Sequence, residues 1–402
     1  MERVYIVAAR RTAIGNFGGA LKEIPAPRLA ATVIGATLED AGVAPDQVDE
    51  TIVGTILTAG QGMGPGRQAS IYAGIPAQTP AYAVNMLCGS GMKAIMLAAD
   101  GIRIGRSGVV VAAGTESMSR TPYLVPASTR FGSKFGNMEL ADHMILDALT
   151  DVFNDYHMGV TAENIARKHS ITRARQDEFA AESQRKALAA IEAGRFEREI
   201  IPVEVKRKRE TVLFEIDEYP RPGTTAESLA NLRPAFLSDG TVTAGNSSGV
   251  NDGASAVLVA GERAVKELGL TPRAEIIGYS QVGVDPAYMG LGPVPAVRAA
   301  LSTVDMPLSA MELVELNEAF AAQAIGVITE MAEEHDLTYQ QIIERTNVNG
   351  GAIALGHPVA ASSNRIVVTL LHEMERRGVQ LGLASLCVGG GMGTAVVLRR
   401  EQ

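Results

Sequence analysis

Short apolar runs alternate along the chain with longer stretches whose apolar residues recur every three to four positions, as in strands interleaved with helices. Residues 3–9 and 51–58 predict strands, and 28–42 predict a helix that stops at Gly42. A second helix is expected over 92–104 and a strand over 108–114. From about residue 272 the same order recurs. Residues 273–284 open as the first strand does, 294–303 form a helix behind Pro293, LVEL at 313–316 stands where 51–58 stood, and a helix follows Pro358. The stretch 383–398 resembles 109–119, each a strand running into a small-residue turn. These periods predict an α/β chain with two similar halves packed as a pseudo-dimer, residues 1–118 with 246–271 and residues 272–402. Residues 119–245 are more polar, with helices expected around 161–169 and 173–194, a basic run Lys206–Arg209 and the loop DEYPRPGTT at 217–225. This predicts an inserted loop and cap domain, the kind of long excursion that serves as a lid.

Length and composition narrow the function. With 402 residues, 46% hydrophobic and 20% charged, the chain buries a core without disulfide staples. A net charge of −9 speaks against binding nucleic acid through bulk charge. No apolar run reaches membrane-spanning length. Two cysteines, Cys88 and Cys387, make no disulfide framework, and six scattered histidines give no zinc spacing. Met1-Glu-Arg-Val-Tyr runs straight into the first strand, so a cytoplasmic protein is expected.

Chemistry concentrates in a few small-residue segments. Cys88 stands in NMLCGSGMKA just before a helix whose apolar stripe is Met92, Ile95, Met96 and Ala99. A helix N-terminus stabilises thiolate, so the position predicts a nucleophile of lowered pKa; a small buried hydrophobe is the other reading. His357, in a glycine-rich loop before Pro358, is placed as a general base or oxyanion donor, or as loop structure. Cys387 ends a strand ahead of three glycines, whose N–H groups could cradle an oxyanion or simply turn the chain. Asn317 follows another strand end, where polar side chains of α/β folds face the crevice or cap a helix.

Taken in order, NMLCGSGMKA, YHMGVTAENIA, DEYPRPGTT, TVTAGNSSGVNDGA, ELNEAFAAQ, NVNGGAIALGHP and CVGGGMGTA resemble the thiolase family over nearly the whole chain, and the biosynthetic short-chain branch most. The resemblance implies a five-layer α-β-α-β-α fold with the inserted cap. It implies that Cys88 is acylated, that His357 takes the thiol proton and then binds the thioester oxygen, and that Asn317 holds a water in that oxyanion hole. Cys387 is then the acid/base for the second acyl group, and the N–H groups of Cys88 and Gly389 form the second oxyanion hole. Ser248 and Ala244 would line the pantetheine tunnel, with Leu149, His157, Met158, Ala319 and Phe320 at its inner end. Arg221 would lie against the nucleotide, and the 206–209 run could approach the 3′-phosphate. The substrates implied are acetyl-CoA, acetoacetyl-CoA and CoA, without a cofactor, a metal, a nucleic-acid partner or a membrane. A homo-oligomer is expected, a tetramer before a dimer.

The competing readings are a degradative 3-ketoacyl-CoA thiolase of broader chain length and a non-catalytic CoA-binding relative. The motive for the second is one departure. Where the family reads GHPxGxSGxR, this chain has Ala360 and Ser363 at glycine positions, with Asn364 beside them. Added volume there is expected to shift the His357 loop, or to start the next helix later under a Ser362 or Ser363 cap.

Overall fold

The computed structural model describes residues 2–207 and 210–401. Its first half carries β1 (Val4–Thr12), α1 (Ala26–Ala41), β2 (Glu50–Gly54), α2 (Pro65–Tyr72), β3 (Ala81–Val84), α3 (Ser90–Arg103) and β4 (Val109–Ser117). The chain then leaves the main sheet. The excursion contains α4 (Met158–Lys168), α5 (Arg173–Glu192) and a hairpin of β5 (Val203–Arg207) with β6 (Glu210–Phe214). It re-enters as β7 (Asn251–Gly261), followed by β8 (Ala274–Gly283), α6 (Pro293–Thr303), β9 (Leu313–Leu316), α7 (Ala321–Glu334), α8 (Val359–Arg377), β10 (Leu381–Val388) and β11 (Met392–Arg400).

The strand order is β3-β2-β4-β7-β1 in one half and β9-β10-β11-β8 in the other, joined where Tyr5 and Ile6 of β1 pair with β8. The pairing senses repeat. β2 runs parallel to β4 as β9 does to β10, and the next two pairings are antiparallel in both halves. Even a register shift recurs, between Ile6 and Ala8 of β1 and between Ile276 and Gly278 of β8. The first half has five strands on this path and the second four, one fewer than a strict duplication gives.

Alternation along the strands sorts the layers. Val109, Val111 and Ala113 face the outer cluster with α1, whereas Val110 and Ala112 face the central cluster with α3 and α8. In the second half Leu383 and Cys387 face the outer cluster with α6 and α7, while Ala384, Leu386 and Val388 face the centre. The result is helices, sheet, a buried pair of central helices, sheet and helices again. That order places the N-terminal ends of α3 and α8, and so the residues before them, against each other.

Two elements end differently from their periodicity. The apolar run of 51–58 is strand only to Gly54. A Cβ on Gly54 would come within 2.5 Å of the Ser90 backbone, so the start of α3 crosses there, and the N–H groups of Ile56 and Leu57 turn to the Glu116 carboxylate instead of a neighbouring strand. Within the excursion, Ile200–Ile201 pairs with the end of β1. Beside it, wholly buried Arg11 holds Glu199 through Nε at 2.6 Å and Asp217 through its two terminal guanidinium nitrogens at 2.7 and 2.9 Å. Asp217 also accepts from Ile14 N–H, so the 217–225 loop is moored to β1 from its first residue. Among the described residues no helix is long and apolar enough to cross a membrane.

Candidate active site

Cys88 is held by a strained turn. Leu87 has φ 48°, a conformation that non-glycine residues rarely adopt, and Ser90 Oγ ties the turn by accepting from Met86 N–H at 2.8 Å and donating to Leu87 O at 2.6 Å. The sulfur faces an apolar cavity of about 360 Å³. Burial pushes the thiol up to about 11, against the opposing pull of the N–H groups of Gly389 and of Cys88 itself. The lowered thiol pKa expected from the helix N-terminus is therefore overturned. Desolvation outweighs the dipole, and one of the N–H groups at the start of α3 is already engaged, since Met92 N–H donates to Ser363 Oγ at 2.9 Å.

His357 is buried on the same cavity wall. Its N–H donates to Asn251 Oδ1 at 2.9 Å, fixing the loop. Its Nδ1 lies 2.6 Å from Ser362 Oγ, and that hydroxyl donates to Pro358 O at 3.0 Å. With the Ser362 proton given to Pro358 O, the hydroxyl accepts from the ring, the arrangement in which Nδ1 carries the hydrogen and Nε2 keeps its lone pair. Burial, with Arg365 adding to it, lowers the imidazole to about 4.

Cys387 lies just behind this wall, fully buried. Burial raises its thiol, and so does the charge of a Cys88 thiolate, which places the two sulfurs within electrostatic reach. Its strand ends in the turn Gly389–Gly391, where a Cβ on Gly391 would come within 2.3 Å of Val284 O. Both readings of those glycines hold: the chain turns, and Gly389 N–H points at Cys88. Asn317 sits one residue beyond β9, buried, and is absent from the cavity wall. Neither side-chain amide atom has a hydrogen-bond partner among the described residues.

The remaining expected residues converge. Leu149, His157, Met158, Arg221, Ala244, Ser248, Ala319 and Phe320 all line the cavity. His157 caps α4 by accepting from Gly159 N–H at 3.0 Å and stacks on Phe236 at 4.6 Å, while Ser248 N–H donates to Ala319 O at 2.9 Å. Arg221 lies over the Tyr219 ring. The sequence reading missed Tyr219, Phe236 and Met289 as wall residues. Tyr219 could have been found two places before Arg221 in the same loop; Met289 stands in no recognisable motif. Lys206 lines a separate depression with Lys22 and Glu218, and Lys208 and Arg209 of the basic run lie outside the described residues.

The altered segment after His357 is accommodated without delay of the helix. α8 starts at Val359, immediately after Pro358, contrary to the later start expected. Ser362 serves His357, and Ser363 caps a different helix. α3 has Gly89 at its N-cap and no side-chain cap of its own, so Ser363 supplies that bond across the central layer. Asn364 Nδ2 donates to Ala112 O at 3.1 Å. Ser363→Ala is expected to cost about 1–2 kcal/mol by orphaning a buried N–H, read as a lower denaturant midpoint. An unchanged midpoint would show the bond to carry no stability.

A thiol, a neutral imidazole, converging N–H groups and a second thiol behind them meet at one cavity, a set of groups chemically suited to acyl transfer. The chain matches the family models for the thiolase N-terminal domain over residues 4–263 and the thiolase C-terminal domain over 270–400, and it belongs to the thiolase family. It is 54% identical over 402 residues to an acetyl-CoA acetyltransferase of Cupriavidus necator, covering all of both chains. The solved acetyl-CoA acetyltransferase of Syntrophomonas wolfei superposes with a TM-score of 0.96 at 39% identity, covering all of both chains. Human mitochondrial 3-ketoacyl-CoA thiolase superposes at 0.94 with 44% identity, over 100% of this chain and 99% of that one. It is thus an acyltransferase of the thiolase class.

Proposed function

We propose that the protein joins two acetyl-CoA into acetoacetyl-CoA and CoA, and runs the reverse thiolysis, through an acetyl group on Cys88. The observation that carries this reading is the meeting of Cys88, His357 and Gly389 at one apolar cavity with Cys387 directly behind it. Because burial raises the thiol and lowers the imidazole, a resting thiolate–imidazolium pair is disfavoured. Proton transfer from Sγ to Nε2 then accompanies attack on the thioester carbonyl. CoA leaves as a thiol, taking that proton. In the second half Cys387 passes its proton to His357, left neutral by the departing CoA, and the resulting thiolate removes a proton from the methyl group of the next acetyl-CoA; His357 returns its proton to the Cys88 sulfur when that is expelled. The carbanion attacks the acetyl carbonyl on Cys88, whose oxygen faces the N–H groups of Cys88 and Gly389. Asn317, with its unpaired buried amide, suits the water-holding role.

Dense packing at the inner end supports short chains. His157, Phe236, Phe320, Met158 and Met289 crowd it, the first three ring against ring. Thiolysis rates across ketoacyl-CoA from C4 to C16 should fall steeply after the shortest; a preference for long chains would favour the degradative reading. The acid limb of Cys88 acetylation should lie well below the usual histidine value of about 6.5, because His357 stays unprotonated until the pH nears 4. Rapid-quench acetylation at pH 5 and 7 reads this, and a limb centred at 6.5 would contradict it. A cytoplasmic homo-tetramer completes the proposal, supported by the apolar side chains Phe131, Phe135, Val152 and Phe153 exposed on the excursion.

A further inference from the structure

Glu116 is a buried acid that the reaction above leaves unused. It is the last residue but one of β4, with a side chain fully shielded from water, and no lysine or arginine among the described residues pairs with it. Its oxygens instead accept Thr55 Oγ1 at 3.3 Å, Ile56 N–H at 3.1 Å and Leu57 N–H at 3.2 Å, and the Ala360 N–H of α8 also faces it. Ile56, Leu57 and Ala360 belong to one apolar cluster, and Cys88 and Leu87 pack against that same cluster. A single carboxyl group therefore gathers the turn after β2 and the first turn of the His357 helix, at the place where both meet the nucleophile loop.

We infer that Glu116 is a positioning residue whose carboxylate fixes this junction and whose negative charge, carried beside Cys88, holds the resting nucleophile as an unreactive thiol. The inference rests on Cys88 as the nucleophile. Burial is the larger cause of the raised Cys88 thiol and the Glu116 charge adds to it, whereas burial lifts Glu116 itself to about 7. The groups facing it are few. From the turn after β2 comes the Thr55 hydroxyl, from the nucleophile loop the Cys88 thiol, and from α8 a backbone N–H. On β7, Gly253 pairs opposite it and the next residue, Asp252, is turned to Ser119. A thiol kept neutral resists oxidation and stray alkylation, and loses its proton only when a bound thioester and His357 draw it away.

The test is iodoacetamide alkylation of Cys88, followed by peptide mass across pH 5–9 in the full-length wild type, Glu116→Gln and Glu116→Asp. Removing the charge in Glu116→Gln should raise the rate about ten-fold near pH 9, where wild-type Glu116 is ionised, about two-fold at pH 7, and hardly at all at pH 5, where it is protonated. Glu116→Asp, which keeps the charge, should retain the wild-type profile even if its melting temperature falls. A folded Glu116→Gln with an unmoved profile would overturn the inference, leaving only a structural role. The wild type alone also decides: log rate against pH should flatten below unit slope between roughly pH 6 and 8, where Glu116 ionises. A unit slope throughout overturns the inference even if neither variant folds. Alkylation needs no turnover, so failure of acetyl-CoA to acetylate Cys88 would defeat the proposed function separately.

Discussion

Cys387→Ala should still take an acetyl group from acetyl-CoA onto Cys88, yet lose carbon–carbon bond formation by about 10²–10⁴-fold. The two half-reactions ask for different things. Acetylation needs a sulfur, a base for its proton and donors for one oxyanion, which the proposal assigns to Cys88, His357 and the Gly389 N–H on the cavity wall. Condensation needs a second base beside an acyl group already in place. Cys387 is the remaining titratable side chain in electrostatic reach of Cys88 from the strand that ends at Gly389. Its substitution removes a buried sulfur but no hydrogen bond, so the fold should survive. Rapid-quench acetylation and steady-state condensation, measured on one preparation, separate the steps. Equal loss of both would mean that Cys387 acts before the acyl-enzyme forms.

Cys88→Ala is expected to remove both half-reactions, by on the order of 10⁵–10⁶-fold in turnover, because the remaining groups have no nucleophile to serve. The change should leave CoA binding close to that of the wild type, since the cavity-lining residues Ser248, Ala244, Tyr219 and Arg221 are untouched. Turnover and CoA affinity together check this. Loss of binding as well as turnover would instead point to collapse of the Leu87 turn.

Much of this architecture could be read from the residues. The paired periodicities gave both halves, and the small-residue segments around Cys88, His357 and Cys387 marked where backbone must approach closely. What was hidden depended on contacts between distant positions. The strand at Glu50–Gly54 stops early because α3 crosses it and Glu116 captures the next two N–H groups. Nothing local to 51–58 announces either event. The acidity of Cys88 was misjudged for a related reason: the dipole of α3 is legible in the sequence, whereas the burial of the sulfur and the borrowed Ser363 cap are not. Ser363, at a glycine position, and Asn364 beside it looked disruptive, and they instead join α8 to α3 and β4. Phe236 and Met289 reach the cavity from segments with no motif.

The most direct test is to mix wild-type protein with acetyl-CoA alone, quench in acid and map the acetyl group by peptide mass. The account predicts a stable thioester on the peptide containing Cys88 and none on the one containing Cys387. An unmodified chain, or an acetyl group on Cys387, would contradict it.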